Sequence, residues 1–344
     1  LAGGAPVDLP LCGNVYAEPF GHPSSVAGRP CTAAGHSYKP RHKTIGHDIL
    51  DIDSGACAVP DSEYQLLDDV IDSAIAKYRQ RMSVVQQPSD RDKALAASLA
   101  TRDVLLAYDF ALFIPVKTLA DALWANNPVP GAGRYLFDCD TGSFIYLSVA
   151  DALGLTAQLV DITLPSGSGH NYVEWAVAQG PHLEWDPNGQ SECQTPANLP
   201  VYEGRAMNRD ETIGYVYYLR ALTRKASGQL RLALEDYHHA EQLRPNAPNA
   251  WNNAAWLIST HQELGQRLVL ATEAIDAAQK AVRLNRSANY LDTLACAFAA
   301  AGKLSEAAVL EAEAVAAAPS NTDFQRRLNR FRGNEKSSTC FGES

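Results

Sequence analysis

A chain of 344 residues that is 46% hydrophobic has material for two domains, each large enough for its own core. Its formal net charge of −10 and sequence pI near 5.4 leave no broad basic surface, which argues against general nucleic-acid binding. No apolar run approaches the ~20 residues that a bilayer-spanning helix needs, so no membrane span is expected.

Residues 1–60 are rich in Gly, Pro, Ser and His, hold no sustained period, and read as an extended, loop-rich arm. Setting Cys139 aside as a reactive thiol leaves Cys12, Cys31, Cys57, Cys193, Cys296 and Cys340, enough for three disulfides in fifteen connectivities. With Leu1 rather than Met at the start, this cysteine usage predicts an exported protein, periplasmic or extracellular. His22, His36, His42 and His47 lie among the early cysteines, but their spacings match no common zinc arrangement, so neither metal nor cofactor is expected.

Leu66, Leu67, Val70, Ile71, Ala74, Ile75 and Tyr78 recur at helical spacing and predict an amphipathic helix over 61–82. After Pro88, Ser89 or Asp90 can cap a second helical region over 93–124, interrupted at Pro115. A loop over 126–133 then delivers the chain to Cys139. From Phe144 to Leu153 the sequence is apolar nearly all round, which describes a buried helix, with Thr141, Gly142 and Ser143 as starters. Cys139 would sit at its N-terminus, where the macrodipole favours a thiolate and Asp138 and Asp140 oppose one. Dipole and imidazole are expected to prevail only if both aspartates point to solvent.

From His170 to Val177 the alternation puts Val173, Trp175 and Val177 on one face and His170, Tyr172 and Glu174 on the other. Leu183 and Trp185 continue the first face on a second strand, and Glu184 and Asp186 the second, with a turn at Gln179, Gly180 and Pro181. Paired numbers summing to 356 set His170 directly across from Asp186, roughly 4.5–5.5 Å apart at Cβ, and a sum of 358 brings Asn188 there instead. Cys139, His170 and Asp186 are the three types that thiol nucleophile chemistry needs: a thiolate, a base and a carboxylate to orient the base.

Together with Gly154 to Ala157 and Pro187, these residues resemble the transglutaminase-like branch of the papain-related cysteine enzymes. Asn171, directly after the histidine, departs from that pattern. The resemblance implies an α+β domain over 61–205 in which a central buried helix packs on an antiparallel sheet. It implies Cys139 as nucleophile, His170 as base and then acid, and Asp186 as orienter. Tyr172, Asn127 and Tyr135 become candidate substrate contacts, with Asn126, Asn127 or Tyr135 completing an oxyanion hole. The expected activity is hydrolysis of amide bonds in a peptide or protein. The alternatives are a catalytically silent binding or scaffold protein and an amine-accepting transglutaminase.

From about Glu211 the composition turns Ala-rich and self-similar. Gly228, Ala233, Ala240 and Pro245 recur as Gly302, Ala307, Ala314 and Pro319, each 74 residues on, which is two periods of 34 with six extra residues falling near 261–267. This resembles the tetratricopeptide repeat and implies an all-α solenoid over 206–344, about three repeats with a capping helix over 323–332. Asn249, Asn252 and Asn253 are candidates for a groove that takes a protein partner. Tyr218, Leu222, Asn289 and Thr293 stand where a carboxylate clamp needs other residues, so no clamp is expected.

Overall fold

The computed structural model describes residues 11–12, 36–113, 118–125, 133–164, 169–195, 206–261, 264, 268–333 and 340–342. It divides into units Leu1–Ile213 and Gly214–Ser344, so the division falls inside a helix (α6, Arg209–Ala226) and not at the 205/206 junction expected from composition.

In the first unit the elements run α1 (Ile45–Ser54), α2 (Asp61–Met82), α3 (Asp90–Ala107), β1 (Phe110–Leu112), α4 (Leu119–Ala122), β2 (Tyr135–Phe137) and α5 (Cys139–Leu153). The strands β3 (Ala157–Thr163), β4 (Gly169–Trp175), β5 (Leu183–Asp186) and β6 (Ser191–Cys193) follow. The last four form one antiparallel sheet in sequential order, and β1 and β2 form a parallel pair. Helix α5 is the centre, with every residue from Thr141 to Ala150 buried. It starts earlier than its apolar run because Asp138 caps it. Thr141 N donates to Asp138 Oδ1 at 3.0 Å, and Asp138 N donates to Thr141 Oγ1 at 3.0 Å. It ends at Gly154, whose φ of 66° is left-handed, so the stop is sharp and the chain turns directly into β3.

Two sequence expectations need correction here. The arm over 1–60 contains α1, whose Ile45, Ile49 and Leu50 are buried. Ile45 N donates to Asp151 Oδ2 at 2.7 Å and Gly46 N to Ser148 Oγ at 3.0 Å. A Cβ on Gly46 would sit 2.3 Å from Ser148 Oγ, so that close approach requires glycine. Nor does the second helix continue to Trp124. It stops at Ala107, Asp109 turns to a φ of 63°, and Phe110 enters β1. Asp109 is held there by β2: its carbonyl accepts from Tyr135 N at 3.2 Å and its carboxylate from Arg134 N at 2.9 Å. Pro115 and the loop over 126–132 lie outside the described residues.

The second unit is an all-α array of helical hairpins: α6 with α7 (Leu230–Leu243), α8 (Pro248–Thr260) with α9 (Leu268–Leu284), α10 (Ala288–Ala300) with α11 (Leu304–Ala317), then α12 (Thr322–Gly333). Small side chains form the seams, with Ala221, Ala233, Ala255, Ala274, Ala278, Ala297 and Ala314 fully buried. Gly228 and Gly302 occupy the same left-handed turn, at φ 73° and 76°, inside the first and third hairpins. The recurrence of the two glycines in the sequence is therefore a recurrence of one turn.

Disulfides join Cys12 to Cys193 and Cys296 to Cys340, and Cys57 is also disulfide-bonded. Cys139 is a free thiol.

Candidate functional site

The site in the first unit forms where the N-terminus of α5 meets β4 and the end of β5. Gly142 makes the approach possible, since a Cβ there would lie 2.8 Å from Phe137 and 2.9 Å from Pro187. Pro187 follows Asp186, so the absent side chain brings the cysteine turn against the aspartate. His170 Nε2 lies 3.2 Å from Asp186 Oδ2, and both residues are buried. Asp186 Oδ1 accepts from the backbone N–H of Asn188 at 2.9 Å and of Gly189 at 3.4 Å. The carboxylate thus spends one oxygen on the turn and the other on the imidazole.

This contact arises in a register different from the one that sets the pair directly opposite. Val173 pairs with Trp185, Glu174 with Glu184 and Trp175 with Leu183, so partner numbers sum to 358. His170 and Asp186 are diagonal neighbours on one face, roughly 7–8 Å apart at Cα, within reach of an imidazole and a carboxylate.

The thiol is held differently from the sequence expectation. Cys139 is half-buried, and the backbone N–H of Asn171 donates to its sulfur. Asp138 is buried in the capping box, and half-buried Asp140 accepts from the side-chain amide of Asn171, so both aspartates are held beside the thiol. Burial pushes the Cys139 thiol well above the usual thiol range, and Asp140, Asp138 and Asp186 push it the same way, against the pull of the Asn171 N–H. The surroundings of the sulfur therefore favour the thiol over the thiolate. Among the described residues no hydrogen bond joins Cys139 Sγ to His170. Asn171, which in the sequence is only a departure from a family pattern, ties the cysteine turn to β4 through both its backbone and its side chain.

Two candidate substrate contacts are committed to packing. Tyr172 is buried in a cluster with Val160, Ile162 and the Cys12–Cys193 disulfide, its hydroxyl 2.6 Å from Thr195 Oγ1. Tyr135 is buried in β2 with its ring stacked on Phe110 at 4.8 Å. Asn126 and Asn127 lie outside the described residues, as does His22. The other early histidines go to separate carboxylates: His36 Nε2 is 3.6 Å from Asp51, His42 Nε2 2.8 Å from Asp72 and His47 Nε2 3.2 Å from Asp68. Among the described residues Cys12, Glu184 and Cys193 are close enough to share a cation, but their two sulfurs are bonded to each other.

In the second unit a groove of about 670 Å³ lies along α8, α10 and α12. Asn252 and Asn253 line it with Trp256, Asn289, Thr293 and Phe324, while Asn249 is engaged by the Tyr290 hydroxyl and is not among the lining residues. Asn253 Nδ2 donates to Tyr218 OH and Asn252 Nδ2 to Asn253 Oδ1, both at 3.3 Å. Asn252 Oδ1 is buried without a hydrogen-bond partner among the described residues. Arg327 is committed to Asp292 at 2.6 Å. Lys225 also lines the groove, and burial holds its ammonium below the usual lysine range. Its place was not legible in the sequence, because it enters from the last turn of a different hairpin.

No family model and no curated protein matches this chain. Solved structures are similar to part of it. The TPR domain of Arabidopsis OM64 is 17% identical over 37% of this chain and 99% of that one, with a TM-score of 0.33. The first TPR of Spaghetti (RPAP3), bound to HSP90 peptide SRMEEVD, is 21% identical over 35% and 90%, with a TM-score of 0.31. The N-terminal domain of stress-induced protein-1 (STI-1) from C. elegans is 16% identical over 37% and 99%, with a TM-score of 0.31.

Proposed function

We propose that this chain is a polypeptide-binding protein whose tetratricopeptide-like repeats hold the partner along the groove of α8, α10 and α12. The observation that carries the reading is the row of amide side chains at Asn252, Asn253 and Asn289, with Asn252 Oδ1 buried and unpartnered. An extended peptide offers the N–H donors and carbonyl acceptors that primary amides match. Trp256 and Phe324 supply apolar wall, and Lys225 is placed for an acidic group, whose negative charge would offset the burial of its ammonium. The test is selection from a random peptide library on the full chain, followed by affinity measurement for wild type and Asn252→Leu. Selected peptides should be extended, carry an acidic residue, and bind the variant at least tenfold more weakly. Equal binding to both proteins would remove the groove from the function.

A second reading, a transglutaminase-like thiol hydrolase, is favoured by the buried His170–Asp186 pair beside Cys139. In it the Cys139 thiol gives its proton to His170 Nδ1, the nitrogen not engaged by Asp186, and the sulfur attacks an amide carbonyl. The C–N bond breaks, the amine leaves with the proton from His170, and water cleaves the thioester; an amine in place of water makes the step a transamidation. We rank it second because burial, and then the acids around Cys139, favour the thiol form. Iodoacetamide labelling of Cys139 against pH, in wild type and His170→Ala, separates the two. Slow labelling unaffected by the substitution supports the binding protein, and fast labelling below pH 7 that the substitution abolishes reverses the ranking. The disulfides support folding in an oxidising compartment, in keeping with an exported protein.

A further inference from the structure

A second concavity in the repeats shares no lining residue with the amide groove. Helices α7 and α9 and the first turns of α8 enclose a cleft of about 720 Å³. Its walls divide by chemistry: Pro245, Trp251 and Ala277 are apolar, and Glu241, Glu273 and Asp276 bring carboxylates. The indole of Trp251 is fixed by its N–H, which donates to the Pro245 carbonyl at 3.2 Å.

Glu241 is the residue that packing alone does not explain. It is only 7% exposed, lines the cleft, and its Oε1 has no hydrogen-bond partner among the described residues. A buried carboxylate is ordinarily paired or hydrogen-bonded, because removing it from water without compensation costs several kcal/mol. The neighbouring imidazole does not help it, since His238 Nε2 sits 2.8 Å from Glu273 Oε1. Burial and the charge of Glu273 push the Glu241 carboxyl up to about 8.

We propose that this cleft binds an alkylammonium group, with the head beside Glu241, Glu273 and Asp276 and the aliphatic stem along Trp251 and Pro245. A metal ion fits less well. Among the described residues these three carboxylates do not all lie within 4.8 Å of one another, and the apolar wall would be idle against an ion. A flexible chain with a cationic end uses both. Lys280 and Arg283 line the same cleft, about 6 and 10 Å along the α9 axis beyond Asp276. Positive charge at that end fixes the direction of the ligand, and favours one whose far end is a carboxylate or a peptide carbonyl.

Titration calorimetry on the full chain tests this with 6-aminohexanoate, Nα-acetyl-lysine amide and hexanoate. Both amines should bind at one site, hexanoate should not, and Glu241→Gln should weaken the amines at least tenfold while leaving affinity for groove-selected peptides unchanged. Because Glu241→Gln removes an uncompensated buried acid, its melting temperature should equal or exceed that of wild type, so a loss of binding is not a loss of fold. Preference for 6-aminohexanoate assigns a free zwitterion as the source, and comparable binding of the lysine amide assigns a lysine side chain of a polypeptide. No binding of either amine at 10 mM, equal binding of hexanoate, or amine binding unchanged by Glu241→Gln overturns the inference.

Discussion

The core of the first unit and the α7–α9 cleft of the second both bury acids, and they treat them in opposite ways. Asp186 is bonded by His170 and two backbone N–H groups, Asp138 by both donors of Thr141, and the fully buried Asp68 by Tyr38 and the backbone N–H of Arg41 and His42. The Oε1 of Glu241 has no such partner among the described residues. A matched buried charge is explained by the fold that holds it. An unmatched one asks for an explanation beyond the fold, and the ligand proposed for the cleft would supply it.

Removing a matched charge gives the largest expected effect. Asp186→Ala strips buried His170 and the Asn188 turn of their acceptor and should cost about 3–5 kcal/mol in urea unfolding. A cost below about 1 kcal/mol would mean that the pair is not formed. The unmatched charge should behave in the opposite sense. The unfolded Glu241 carboxyl titrates near 4.3 and the folded one at about 8, so between those values the folded state holds a proton that the unfolded state has released. Stability from this group therefore falls as pH rises from about 4.3 to 8 and is flat above. Glu241→Gln should remove that slope and gain a few kcal/mol over wild type at pH 8.5, bounded by the roughly 5 kcal/mol to which the displacement corresponds, with no gain at pH 4. Identical pH profiles for the two proteins would contradict the assignment. An intermediate case gives the smallest effect. Glu174 stands directly opposite Glu184, and burial together with that like charge raises its carboxyl, against the pull of His182. Glu174→Gln should stabilise by roughly 0.2–1 kcal/mol at pH 7, read as a rise in melting temperature.

The same contrast separates what the sequence discloses from what it conceals. Helix α2, the buried body of α5 and the alternating alanines of the repeats are legible because their causes are local: a 3.6-residue period, or a small residue at a fixed interval. The short β1 is not, because Phe110–Leu112 takes strand form only against Tyr135–Phe137, and the left-handed Asp109 that admits it is held by β2. The hairpin register turns on two residues of offset that leave every side chain on its own face, so alternation cannot choose between 356 and 358. At the candidate site the residue types were legible and their ionisation was not. Whether Asp138 and Asp140 face solvent depends on Thr141 and on Asn171, thirty-one residues beyond Asp140. Lys225 and the partnerless state of Glu241 likewise follow from how helices are stacked, which composition does not carry.

The Cys296–Cys340 bridge gives the amide groove a property that none of its lining side chains has. Gly342 forms part of the groove wall, its N–H donates to the Thr260 carbonyl at 2.8 Å, and the bridge two residues earlier anchors it to α10. That stretch of wall is thus a tethered buckle, and opening the tether would change what a peptide held there, as proposed above, can touch. Thermodynamic reciprocity then runs the other way as well: a peptide that gains contacts from the closed buckle must make the bridge harder to reduce by the same free energy. Dithiothreitol titration with and without a selected peptide reads that coupling, and an unmoved midpoint would mean that Gly342 contributes nothing to the bound state. Where the midpoint does shift, the occupancy of the groove and the redox poise of the surroundings are two readings of one equilibrium.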